Sequence, residues 1–269
     1  MRIGWLSSGR DQAACNLLTD VVARSQQDDV PLDIAAVFCD REPGEAAGSD
    51  RFIELVERLD LPLVTLSSAA SRKAAQELGV DRATWRDEYH RGVMELLVPS
   101  RLGVLVMAGY MLIVSPAMCR RYALLNLHPA LPGGPTGTWQ EVIWRLLEEE
   151  AAETGAMVHL ATAQLDRGPV VSSFRFPLTG DQWAPLWGQF REKRTTMSVA
   201  AIAAAAGESE PLFAAIRRHG EVREIPLLYQ TLCLFAHGKL NTAAGAVFAE
   251  STRLPLDLSE PVEAEVARR

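Results

Sequence analysis

The stretch Leu102-Gly103-Val104-Leu105-Val106-Met107 carries no polar residue, and this constrains the fold more than any other feature. A strand with one face in water alternates apolar and polar side chains. A strand without that alternation is covered on both faces and belongs in a parallel sheet. Three further runs, largely apolar, precede it: Arg2 to Leu6, Ile34 to Cys39 and Leu63 to Leu66. Between the runs, apolar residues recur at helical intervals. They are Ala14, Leu17, Leu18, Val21 and Val22 in 11–26, then Phe52, Leu55, Val56 and Leu59, then Val93, Leu96 and Leu97 within Trp85 to Val98. This strand–helix alternation predicts a doubly wound α/β fold, a mostly parallel sheet with helices on both faces.

Leu124 to Leu127 reads as a further strand and Trp139 to Glu150 as a helix with an acidic end. Ala156 to Thr162 and Val170 to Phe176 read as a strand pair around a turn at Asp166, adding antiparallel edges. Gln182 to Gly207 reads as one long helical stretch. The texture changes beyond residue 208, with a short helix over 211–219 and a strand or helix over Pro226 to His237. Asp257 to Arg269 is an acidic, frayed tail. The expected organisation is a catalytic domain over 1–207 and a short C-terminal extension over 208–269.

The formal net charge of -7 lacks the basic footprint of a nucleic-acid binder. With 48% hydrophobic and 23% charged residues the chain reads as a soluble globular protein. Its longest apolar stretch, Leu102 to Val114, contains two glycines and is too short to span a bilayer. Met1 to Leu6 has the character of a first strand, not of a secretory leader. The cysteines at 15, 39, 119 and 233 form no close pair. That spacing points to free thiols in a reducing cytoplasm, with no metal site. There is no GxGxxG and no P-loop, so nothing supports a nucleotide cofactor.

Chemistry concentrates at Asn126-Leu127-His128-Pro129 and at Leu165-Asp166-Arg167-Gly168-Pro169. An imidazole exchanges protons near neutral pH, a carboxylate beside it fixes its tautomer, and an amide donates to an oxygen gaining charge. Asn126, His128 and Asp166 therefore suit addition to a carbonyl. A plainer reading stands beside each: a loop-bonding histidine, a strand-ending asparagine, an Asp-Gly turn. His159, on the strand before Asp166, reads as structural. The Gly9-Arg10-Asp11 turn after the first strand offers backbone N–H groups and a cation to an anion, or Asp11 simply caps the helix that follows.

These residues resemble the folate-dependent formyltransferases, the glycinamide ribonucleotide branch most of all. The likeness is carried by Ala108-Gly109-Tyr110-Met111-Leu112-Ile113-Val114-Ser115-Pro116 and by Leu125-Asn126-Leu127-His128-Pro129-Ala130-Leu131-Pro132. It continues in Glu153-Thr154-Gly155-Ala156-Met157-Val158-His159 through Asp166-Arg167-Gly168. It covers roughly residues 1–205 and implies formyl transfer from 10-formyltetrahydrofolate, a co-substrate, to an amine, by default glycinamide ribonucleotide in purine biosynthesis. It further implies that Asn126 and His128 bind the formyl oxygen and that Asp166 holds His128 and manages proton transfer. Met111, Leu112, Ile113, Gln164 and Leu165 would line the pterin pocket. Gln189 and Glu192 keep a spacing that relatives use toward the acceptor, together with Gly9, Arg10 and Asp11. The family's Ser-Gly-x-Gly-Ser-Asn loop is replaced here by Ser8-Gly9-Arg10-Asp11-Gln12-Ala13, and Pro132-Gly133-Gly134-Pro135-Thr136-Gly137 also departs from the pattern. Because of those departures another amine acceptor, hydrolysis of the same folate, and folate binding without turnover stay open. The partners implied are folate and a small amine. Residues 208–269 are left two roles, a cover over the acceptor cleft or a homodimer contact.

Overall fold

The computed structural model describes residues 1–162, 167–243, 245–250 and 253–268. It divides into two compact units: Met1–Asn126 with His159–Pro169 and Leu232–Arg253, and Leu127–Val158 with Val170–Thr231 and Leu254–Arg269. Residues 208–269 thus contribute to both units.

The first unit contains β1 (Arg2–Ser7), α1 (Gln12–Gln27), β2 (Asp33–Cys39), α2 (Ala47–Arg58), β3 (Leu63–Thr65), α3 (Ser68–Glu77), α4 (Arg82–Leu97), β4 (Val104–Met107) and α5 (Pro116–Arg121). The next strand, β5 (Ala123–His128), runs out of it. Its strands lie in the order β3-β2-β1-β4-β5, all parallel, so the winding reverses between β1 and β4. Leu6, Ala36, Phe38, Leu105 and Leu124 pack on one face against Trp85, Tyr89, Val93 and Leu97 of α4 and Met118 of α5. Side chains alternate along each strand, so Ile3, Trp5 and Val37 point to the other face, where α2 meets β2. Apolar runs without alternation are buried on both faces, as expected, and each buried Leu or Phe stabilises the fold by about 1.5–3 kcal/mol. The doubly wound, mostly parallel α/β class read from the sequence is the one observed. A separate antiparallel hairpin joins β8 (Leu240–Ala243) to β9 (Ala246–Ala249).

The second unit holds α6 (Trp139–Glu148), most of β6 (Glu153–Leu160), β7 (Val170–Pro177), α7 (Ala184–Arg194), α8 (Val199–Ala206) and the greater part of α9 (Pro211–Ala236). It ends with β10 (Leu256–Asp257) and α10 (Ser259–Val266). The β6–β7 pair is antiparallel, because Leu160 N donates to Pro169 O while Gly155, earlier on β6, lies against the Phe174 carbonyl, later on β7. β10 adds in parallel, with Leu256 opposite Ser172.

Three expectations are corrected. The stretch 182–207 is two helices, because Ser198 breaks the run and caps α8 through Ala201 N. The segments 211–219 and 226–237 lie in one helix, α9, which runs through Pro226. Leu227, Leu228 and Leu232 are buried along it, and that packing outweighs a proline's missing donor. The acidic tail is not frayed: Val262 of α10 is fully buried, and Glu263 accepts two hydrogen bonds from the Arg223 guanidinium.

Candidate active site

In a doubly wound sheet the crevice opens at the carboxyl ends of the strands where the winding reverses. Here that point lies between β1 and β4, and the loops leaving both strands are bonded to each other. Ser8 N donates to Gly109 O at 3.0 Å, and Met111 N donates to Ser8 Oγ at 3.0 Å. Gly9 takes φ of +58°, and a Cβ there would stand 2.7 Å from Phe52 Cβ, so the turn needs glycine twice over. Beyond it, the Asp11 carboxylate accepts from Ala14 N at 3.1 Å and caps α1, while Arg10 is exposed. Asp11 thus already supplies the negative charge that a helix start attracts. Of the apolar loop residues, Met111 is 58% and Ile113 45% exposed, with Leu112 half-buried.

Asn126 stands opposite Met107 in the β4–β5 register, which brings it to the same sheet end as the 109–113 loop. Its Nδ2 donates to His159 Nε2 at 3.1 Å, while His159 Nδ1 donates to the Leu160 carbonyl at 3.0 Å. The second bond puts the ring proton on Nδ1, so Nε2 accepts and the Asn126 amide is oriented with its nitrogen toward His159. His159 is buried on β6, the core strand where the sequence placed it. Its action on Asn126 was not read there, since the only signal was a buried histidine on a neighbouring strand.

His128 lies two residues further along β5, at the strand's last position. In the second unit it is buried, and its Nε2 donates to Pro135 O at 2.9 Å. The Pro132–Gly137 loop is itself folded by a Gly134 N bond to Leu131 O of 2.9 Å. It is followed by a capping box in which Thr138 and Glu141 start α6. Gln189 and Glu192 are exposed on one face of α7. Gln164, Leu165 and Asp166 lie outside the described residues.

A cleft of about 350 Å³ lies elsewhere, at the opposite ends of β4 and β5, lined by Gly103, Arg121, Tyr122, Ala123 and Thr242. It contains none of the residues above. Among the described residues no three His, Cys, Asp or Glu side chains converge as a metal site, and no single helix is long and apolar enough to cross a membrane.

A doubly wound parallel α/β unit with an amide and an apolar loop at one sheet end has the form of a ligand-binding domain, and the chain belongs to the formyl transferase family, whose model matches residues 1–182. It is similar to the phosphoribosylglycinamide formyltransferase of Escherichia coli, at 30% identity over 176 residues, covering 63% of this chain and 66% of that one. The enzyme of the same name from Mycobacterium tuberculosis is 28% identical over 208 residues, 76% of this chain and 85% of its own. Among solved structures, a glycinamide ribonucleotide transformylase from Symbiobacterium toebii shares the fold. It has a TM-score of 0.62 and 23% identity, covering 93% of each chain. The alignment to the Escherichia coli enzyme spans just under two thirds of that protein's length.

Proposed function

We propose that the protein transfers a formyl group from 10-formyltetrahydrofolate to an amine, with glycinamide ribonucleotide the default acceptor, as a soluble enzyme of one-carbon and purine metabolism. The observation that carries this reading is the family match over 1–182, which includes both the Asn126–His128 block and the Thr154–Asp166 block. The relatives' names support the acceptor assignment. Residues 1–207 are the catalytic domain in this reading, and 208–269 an extension of it.

The amine nitrogen attacks the formyl carbon, and the carbonyl π-bond becomes an oxyanion. Asn126 donates an amide hydrogen to that oxygen, held in aim by its contact with His159. The His128 imidazole donates to the same oxygen once its proton turns from the Pro135 carbonyl. The proton lost by the amine passes to N10 of the folate as the carbon–N10 bond breaks, and Asp166 manages that transfer, through a water, while holding His128. Atoms and charge balance without metal or redox partner. Met111, Leu112 and Ile113 meet the pterin, with Gln164 and Leu165; exposed apolar side chains on a fixed loop fit a flat heterocycle. The acceptor side comprises Gly9, Arg10 and Asp11 with Gln189 and Glu192.

The test is spectrophotometric release of deformylated folate from a 10-formyl folate analogue, with and without glycinamide ribonucleotide and other amines. Release that requires an amine is expected. Release in buffer alone would replace transfer by hydrolysis, and no release in any mixture would leave a binding protein.

A further inference from the structure

Behind the 109–113 loop lies a buried polar pair that takes no part in the chemistry above. His90, on the inner face of α4, is fully buried, and Tyr110 is 7% exposed. The remaining inner positions of that helix are apolar or aromatic, Trp85, Tyr89, Val93 and Leu97, so packing alone does not call for an imidazole. His90 Nδ1 donates to the Arg86 carbonyl one helical turn back at 2.9 Å, which leaves Nε2 as an acceptor. The Tyr110 hydroxyl donates to it at 3.3 Å. The two rings meet edge-on with centroids 6.3 Å apart, and Phe38 closes another side of the tyrosine at 6.2 Å.

Tyr110 is the residue before Met111. The loop is therefore held from two sides: its backbone by Ser8, and its most deeply buried side chain, Tyr110, by His90, with Leu112 also packed against the core. What it turns outward are the exposed Met111 and Ile113. A loop fixed in this way does not have to be ordered by its ligand, and the ordering cost is removed from the binding step.

We propose that His90 is a positioning residue for the donor, presetting the Gly109–Ile113 loop through the Tyr110 hydroxyl for the flat ring of a folate. The proposal rests on the formyl-folate reading above. A net hydrogen bond of this kind corresponds to about 2- to 12-fold in an equilibrium constant.

The experiment uses the full chain and its His90→Phe, Tyr110→Phe and double variants. A non-reactive folate analogue is titrated calorimetrically, and kcat and both KM values are measured. Each single variant is expected to weaken folate binding and raise the donor KM by about 2- to 12-fold, with kcat and the amine KM little changed. The double variant is expected to lose no more than the worse single one, and His90→Gln, which restores an acceptor, to recover part of the loss. Tyr110→Phe removes one oxygen only and decides the matter if His90→Phe does not fold. Unchanged folate affinity in folded Tyr110→Phe, or additive losses in the double variant, overturns the proposal while wild-type binding leaves the formyl-folate reading standing. A wild-type protein that binds no folate analogue overturns both.

Discussion

Asn126 and His128 sit two positions apart on one strand, and their partners differ in kind. The asparagine is bonded to a histidine whose own proton is committed to a carbonyl, so its amide cannot flip without losing that bond. The histidine is bonded to a loop carbonyl, which the formyl oxygen would displace in the proposed reaction. Removing an oxyanion donor costs about 10²–10³ in kcat. Asn126→Ala is therefore expected to lower kcat by about that factor with both KM values near wild type, as steady-state rates would reveal. His128→Ala, losing an oxyanion donor and the group that Asp166 holds in the proposed reaction, is expected to fall further, by more than about 10³, with the unfolding midpoint retained. A folded His128→Ala enzyme turning over at near wild-type rate would remove the mechanism.

At the scale of elements, β6 and β7 approach too closely for any side chain at Gly155: a Cβ there would lie 1.9 Å from the Phe174 carbonyl oxygen. Backbone cannot move aside as a flexible side chain can, so Gly155→Ala is expected to cost about 3 kcal/mol or more and to lower the denaturant midpoint at constant slope. An unchanged midpoint would mean that the strand pair adjusts. α3 offers the contrary case. Ser68 is its one buried residue, so polar bonds define its start: the Ser67 cap on Ala70 N and the bonds of Ser68 to Asp40 and Arg41. Ser67→Ala should destabilise that helix by about 1 kcal/mol, seen as faster amide exchange confined to 68–77. The same contrast explains what the sequence made legible. β1, β2, β4 and α4 were readable because burial imposes an apolar pattern, and α3 was not, because an Ala- and Ser-rich surface helix has no stripe to find. α9 was misread because Pro226 is a local stop signal overridden by packing on either side of it. Asn126 and His128 were legible as residue types at a strand end. The links from Asn126 to His159, Ser8 to Met111 and Tyr110 to His90 were not, since each joins positions far apart in the chain.

For the whole molecule, acid is the informative stress, because each unit holds a histidine whose pKa lies below the ordinary value. In the first unit His90 is fully enclosed, and burial is the main cause of its pKa lying below the ordinary histidine value, opposed by its hydrogen bond to the Arg86 carbonyl. In the second unit His219 is pressed against Trp183 at 4.9 Å. Burial again lowers its pKa most, followed by the charges of Arg223 and Arg218. Both folded values lie below the unfolded one, so the unfolded chain binds more protons as pH falls through about 6.5. Stability then rises with pH across the interval between folded and unfolded values. The contribution is whole above about 6.5 and lost toward the folded values below it. His219 is partly solvent-exposed, so screening weakens its share, and His90 carries most of the effect. The unfolding midpoint is expected to drop between pH 7 and pH 5, and the drop to shrink in Tyr110-retaining His90→Gln, whose side chain does not titrate, more than in His219→Gln. Equal pH profiles for wild type and His90→Gln would show that the acid sensitivity resides in other groups.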